Sequence, residues 1–78
     1  MIFEKIRGLV AKQFVVDPET LSRETSFTED LNADSLDVVE LSMTIEELFE
    51  LREISEDDLK KISTLGDLVD YVEKASAN

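Results

Sequence analysis

The chain has 78 residues, a hydrophobic share of 42% and a formal net charge of −11, from 19 acidic and 8 basic side chains. That length allows one domain, residues 1–78, with a modest core and little room for a deep catalytic cleft. The charge repels nucleic acid and anionic membrane, whose phosphates need cations, and attracts basic protein surfaces.

There is no Cys and no His. Disulfides, thiolate metal sites and thiol nucleophiles are therefore excluded, and so is the commonest general base near neutral pH. This inventory argues against an enzyme. The N-terminus, Met1-Ile2-Phe3-Glu4-Lys5-Ile6-Arg7, lacks the long apolar run and small-residue cleavage site of a signal peptide. No stretch approaches a membrane-spanning length, so the cytoplasm is the expected compartment, or an organelle lumen if a transit peptide has been removed.

The first predicted element runs from Ile2 to about Phe14, where Ile2, Ile6, Leu9, Val10 and Phe14 recur at helical spacing. Pro18 bars its continuation and disfavours a helical Asp17. The segment from Asp17 to Asp34 reads as the longest connection. Asp17 can cap a short turn that opens on Pro18, and Leu21, Phe27 and Leu31 would pin the loop to the core.

The next helix starts at Asp34 or Ser35 and runs to about Glu50, with a wide apolar band that includes Leu36, Val39, Leu41, Met43, Ile45, Leu48 and Phe49. Asp34, Ser35 and Asp37 suit its positive end. With Ser35 as cap, the reciprocal capping box is absent, because Val38 stands three residues on. A short helix follows, capped by Ser55 with Asp58 three residues later, and Leu59 and Ile62 supply its apolar contacts. The last helix begins in the same way with Thr64 and Asp67, buries Leu65, Leu68, Val69 and Val72, and carries Lys74 near its negative end. The expected fold is all-α: a small four-helix bundle of three longer helices and one short one, with a long loop between the first two.

Charge is unevenly placed. From Glu24 to Leu51 the chain carries Glu24, Glu29, Asp30, Asp34, Asp37, Glu40, Glu46, Glu47 and Glu50, and no Lys or Arg. Acids beside the apolar Leu36 and Met43 fit a docking surface for a basic partner better than a plain solvated face. The run Asp30-Leu31-Asn32-Ala33-Asp34 spaces its ligands like a calcium loop, but Ser35 and Leu41 stand where that loop needs Gly and Glu, so no metal site is expected.

Ser35 taken alone reads as an N-cap. In context, Glu29-Asp30-Leu31-Asn32-Ala33-Asp34-Ser35-Leu36-Asp37 resembles the attachment motif of acyl carrier proteins, whose core is Asp-Ser-Leu. Val38-Val39-Glu40-Leu41, Glu46-Glu47, Phe49, Ser26-Phe27, Ile62, Thr64 and Asp70-Tyr71 extend the resemblance over nearly the whole chain, and its motif residues are closest to the discrete bacterial type of fatty acid synthesis.

The resemblance implies that a phosphopantetheinyl transferase attaches 4'-phosphopantetheine to Ser35, with growing acyl chains carried on its thiol. It implies a partner surface of Asp34, Leu36, Asp37, Glu40, Met43, Glu46 and Glu47, facing basic patches on fatty acid synthesis enzymes. It also implies an acyl cavity lined by Phe27, Leu41, Ile45, Ile54, Ile62 and Leu68. The protein is expected to be a monomer that neither enters membranes nor binds nucleic acid.

Three positions depart from the family pattern. Asn32 stands in place of Gly, although Asn tolerates a positive φ. Glu50-Leu51-Arg52-Glu53 holds one residue more than usual. Leu59 and Leu68 replace Ala and are expected to narrow the acyl cavity. Two other readings stay open from the residues: a carrier of polyketide, amino acid or specialised lipid, and an acidic interaction module in which Ser35 is only a cap.

Overall fold

A computed structural model describes residues 2–76. Helix α1 spans Ile2–Phe14, a 3-10 turn Pro18–Thr20, α2 Ser35–Leu48, α3 Glu56–Lys61 and α4 Leu65–Ser76. Among the described residues there is no strand, only an isolated antiparallel bridge between Ser26 and Thr64. The expected bundle of three longer helices and one short helix is the observed one. No helix is long and apolar enough to cross a membrane.

The core is one cluster. α1 gives Ile6, Val10 and Ala11, α2 gives Leu41 and Ile45, and α4 gives Leu65, Leu68, Val69 and Val72. These are the apolar positions that helical spacing selects, and α1 packs against both α2 and α4. The long loop adds Leu21, Phe27 and Ala33, all buried, with Leu31 half-buried against them. α3 buries no residue fully.

The loop is fastened to the start of α4. The first four N–H groups of a helix have no partner within it. Here Leu65 N–H donates to Thr25 O at 2.9 Å and Gly66 N–H to Arg23 O at 2.9 Å. Asp67 N–H donates to Thr64 Oγ1 at 3.1 Å and Leu68 N–H to Thr64 O at 3.2 Å. The Asp67 carboxylate in turn accepts from the Ser63 and Thr64 N–H groups and the Ser63 hydroxyl. These bonds favour its charged form and hold its pKa below the ordinary carboxylate value, with the Ser63 backbone bond the largest cause. Arg23 also pairs its guanidinium with Asp70 of α4 at 2.6 Å.

Two helices end in a left-handed residue that is not glycine. Val15 has φ 54° and Glu50 φ 53°. Each is followed by a residue whose N–H reaches back five positions: Val16 to Ala11 O at 3.0 Å, and Leu51 to Glu46 O at 2.9 Å. This is the Schellman closure, whose left-handed position usually holds Gly. Val15 is 89% exposed, so a branched side chain is strained there with no packing in return.

Gly66 is fixed by crowding. A Cβ at this position would lie 2.8 Å from Arg23 O. Gly66→Ala, ordinarily favourable inside a helix, is therefore expected to destabilise by about 1–3 kcal/mol. Val15→Gly relieves strain and is expected to stabilise by about 1 kcal/mol. In thermal melts the two Tm values should move in opposite directions, by about 4–8 °C per kcal/mol. A raised Tm for Gly66→Ala would refute the close contact.

The lowered pKa of Asp67 sets a second expectation. A carboxylate with a lower pKa in the folded than in the unfolded state stabilises above the unfolded value and loses that contribution as pH falls. The stability gap between wild type and Asp67→Asn should therefore close as pH drops below about 4. Denaturant titrations at stepped pH measure it, and a gap that does not narrow would rule out the cap's dependence on charge.

Candidate functional site

The site forms where the long loop enters α2. Asn32 adopts φ 53°, the conformation that Asn tolerates in place of Gly, and the turn beyond it closes with Ala33 N–H donating to Phe27 O at 2.8 Å. Phe27 N–H donates to Ser63 O at 3.0 Å. The backbone that leads to Ser35 is thus tied through Phe27 to the segment before α4. From the other side, Gln13 Nε2 of α1 donates to Asp37 O at 2.8 Å.

The cap of α2 differs from the sequence expectation. Asp34, not Ser35, is the N-cap. Its carboxylate accepts from Asp37 N–H at 2.9 Å, and the Asp37 carboxylate accepts from Asp34 N–H at 3.2 Å. The capping box is complete, with Asp37 at the position three beyond the cap. A count from Asp34 rather than Ser35 would have found it. Ser35 is then the first helical residue, exposed, and its hydroxyl takes no part in the cap.

Below Ser35 lies an open groove of about 400 Å³ between the loop, α2 and α3. Its lining is mainly apolar: Phe27, Ala33, Val38, Val39, Leu59 and Ile62, with Thr28, Asp34, Ser35, Glu56, Lys60 and Ser63 at its polar positions. Deeper in, Phe27, Val38, Leu41, Ser42, Leu59, Ile62 and Leu68 surround a pit of about 10 Å³, at most one water in size.

Of the expected cavity residues, Phe27 and Ile62 line both spaces, and Leu41 and Leu68 only the pit. Ile45 and Ile54 are buried but line neither. Ile45 is 0% exposed within the central core. Ile54 is held by its N–H, which donates to Glu46 Oε2 at 2.7 Å. Ala33, Val38 and Val39 were not singled out as cavity residues by sequence. They follow from the loop's entry angle, which their spacing does not encode. Leu59, expected to narrow the cavity, lies on the wall shared by groove and pit.

The acidic surface is also sorted by the fold. Leu36 is 66% and Met43 56% exposed, and Val39 and Leu48 are further exposed apolar residues of α2. Glu40, Glu47 and Asp34 are exposed. Asp37 and Glu46 are half-buried and carry internal hydrogen bonds, one in the cap and one holding the loop after α2. Tyr71 of α4 stands near Asp58 of α3 and Glu46 of α2. Burial foremost, then those carboxylates, pushes its phenol above the usual range. Among the described residues no group of three or more acids is placed to hold a metal ion.

The family model described as a phosphopantetheine attachment site matches residues 4–72. The acyl carrier protein of Wolinella succinogenes is 50% identical over 72 residues, covering 92% of this chain and 93% of that one. The acyl carrier protein of Clostridium acetobutylicum is 43% identical, covering 92% of each. Among solved structures, the acyl carrier protein from Enterococcus faecalis superposes with a TM-score of 0.82 at 32% identity, covering 96% of this chain and 94% of that one.

The division between Asp34 as cap and Ser35 as first helical residue is testable by stability alone. Asp34→Ala is expected to cost about 1 kcal/mol. Ser35→Ala should change stability by no more than about 0.5 kcal/mol. Chemical denaturation of the two variants reads this directly, and a larger loss for Ser35→Ala would return the cap to Ser35.

Proposed function

The chain belongs to the acyl carrier protein family, and on that premise we propose that Ser35 bears its 4'-phosphopantetheine and that the protein presents growing acyl chains to fatty acid synthesis enzymes. Members of this family are carriers rather than enzymes, and phosphopantetheine is their cofactor. One observation carries the assignment to Ser35. It is the exposed first residue of α2, its hydroxyl is free of the cap, and it stands at the mouth of an apolar groove.

The residues fit the group. A phosphodiester on Ser35 would sit at the positive end of α2, where the N–H groups of Ser35 and Leu36 take no partner among the described residues. When attached, the arm supplies the thiol that holds the acyl group as a thioester, which a chain without Cys cannot supply itself. The groove offers apolar cover to whatever lies along it.

Leu36 and Met43 form the apolar centre of a docking face on α2, with Asp34, Glu40 and Glu47 around it as partners for Lys and Arg of the transferase and the synthesis enzymes. Asp37 and Glu46 serve that face indirectly, by fixing the two ends of α2. The shallow inner pit supports a carrier in which Leu59 and Leu68 restrict how deeply a chain enters. The whole of residues 1–78 acts as one carrier domain, working as a monomer.

Incubation with coenzyme A, magnesium and a broad-specificity phosphopantetheinyl transferase should raise the intact mass by one phosphopantetheine. Peptide mapping should place it on Ser35, and Ser35→Ala should gain none while keeping its fold. A folded, unmodified protein that gains no mass would sink the carrier reading in favour of an acidic interaction module.

A further inference from the structure

The groove below Ser35 carries three charged side chains, Asp34, Glu56 and Lys60. Lys60 is the one cation among its lining residues. Glu56 stands one turn earlier on α3, an order that favours a pair with a Lys four residues on. Yet among the described residues the single ion pair within 4 Å joins Arg23 and Asp70, so neither Glu56 nor Asp34 engages the Lys60 ammonium. A lysine without an ion-pair partner among the described residues therefore lines a mainly apolar groove, beside a segment from Glu24 to Leu51 that has no cation of its own.

Resting on the assignment of the arm to Ser35, we propose that Lys60 is the counter-ion of the phosphodiester that links the arm to the protein, and that it clasps the arm into the groove. The chemistry is complementary. The phosphodiester brings a permanent negative charge to the mouth of the groove, beside the unpartnered N–H groups of Ser35 and Leu36. Lys60, on α3, lines the same groove as Ser35 and would supply the opposite charge. Val39, Leu59 and Ile62 between them cover the hydrocarbon part of the arm.

Such a clasp is weak by construction, because an exposed ion pair is worth little and is screened by salt. Weakness suits a carrier. A docking partner brings Lys and Arg side chains to the acids of α2, and the same cations compete with Lys60 for the phosphate. Docking then both binds the protein and frees the arm.

The adjacent Lys61 is also exposed but does not line the groove. It provides a control with the same change in net charge. The test uses the wild type, Lys60→Glu, Lys60→Arg and Lys61→Glu, each converted to the phosphopantetheinylated form and compared with its apo form by NMR. In the wild type, attachment should shift the methyl resonances of Val39, Leu59 and Ile62. Lys60→Glu should reduce the groove-bound fraction of the arm about fivefold, the scale of an exposed pair, and move the ³¹P resonance. Lys60→Arg should keep both signals, and Lys61→Glu should match the wild type. Raising the salt to about 0.5 M should release the arm in the wild type but not in Lys60→Glu.

Equal behaviour of Lys60→Glu and Lys61→Glu, or groove shifts in the wild type that are indifferent to Lys60, would overturn the clasp. Failure of the wild type to accept the arm at all would instead overturn the carrier assignment, and the mass spectrum separates the two cases.

Discussion

The structure depends on one exchange of backbone hydrogen bonds. The first turn of α4 needs partners for its N–H groups, and the loop after α1 has carbonyls to give. Arg23 O and Thr25 O meet Gly66 and Leu65, while Phe27 N–H donates in the reverse sense to Ser63 O. A connection from Val15 to Asp34 would otherwise be free to wander, at a large entropic cost. Fastened in this way, it lays Leu21, Phe27 and Ala33 into the core, and Phe27 O then receives Ala33 N–H. The entry angle of α2, and with it the placement of Ser35, follows from a helix almost at the other end of the chain. Gly66 is the requirement that this exchange imposes, because no side chain fits between the two backbones.

Against that organisation works a net charge of −11. Only one ion pair within 4 Å relieves it among the described residues, and that pair is exposed, with little energy to give. The fold answers by employing carboxylates as hydrogen-bond acceptors. Asp17, Asp34, Asp37 and Asp67 cap turns or helices, Asp30 accepts from Ser26 N–H, and Glu46 accepts from Ile54 N–H. Each such carboxylate satisfies a donor that would lack a partner, and several stand at the positive end of a helix. The acids left over, Glu40 and Glu47 among them, are those free to meet a basic partner. Structural duty thus falls on particular acids, and Asp34 alone of those on the proposed docking face is also a cap, which a count of charges does not reveal.

How much of this was legible in the sequence depends on how local each cause is. α1, the turn at Asp17-Pro18 and the Thr64–Asp67 cap each arise from residues within one turn of one another, and all are where the spacing places them. The positive φ at Asn32 was legible for the same reason. The Asp34–Asp37 box was equally local, but the assumption that Ser35 is the cap concealed it. The left-handed Val15 and Glu50 carry no such mark, since neither residue type favours that conformation. The groove was the least legible feature. Its walls come from three segments, so Ala33, Val38 and Val39 become neighbours of Leu59 and Ile62 only after the loop has been fastened. Ile45 and Ile54 show the converse: suitable apolar residues that tertiary packing turned elsewhere.

The position of Ser35 joins these two strands. A serine chosen for modification is a poor N-cap, because its oxygen would have to leave the helix N–H groups on attachment of a phosphodiester. With Asp34 and Asp37 closing the helix between them, the Ser35 oxygen is released from structural duty, and the esterification proposed for it would leave both capping bonds intact. One residue further along the helix, the side chain would no longer stand at the free N–H groups; one residue earlier, it would be the cap itself. The first helical position is the place where a side chain is exposed, faces the positive end of the helix and is not needed to hold it together. Ser35 and Lys60 line the same groove, so the stability of the helix start and the attachment proposed for Ser35 can coexist within two adjacent residues.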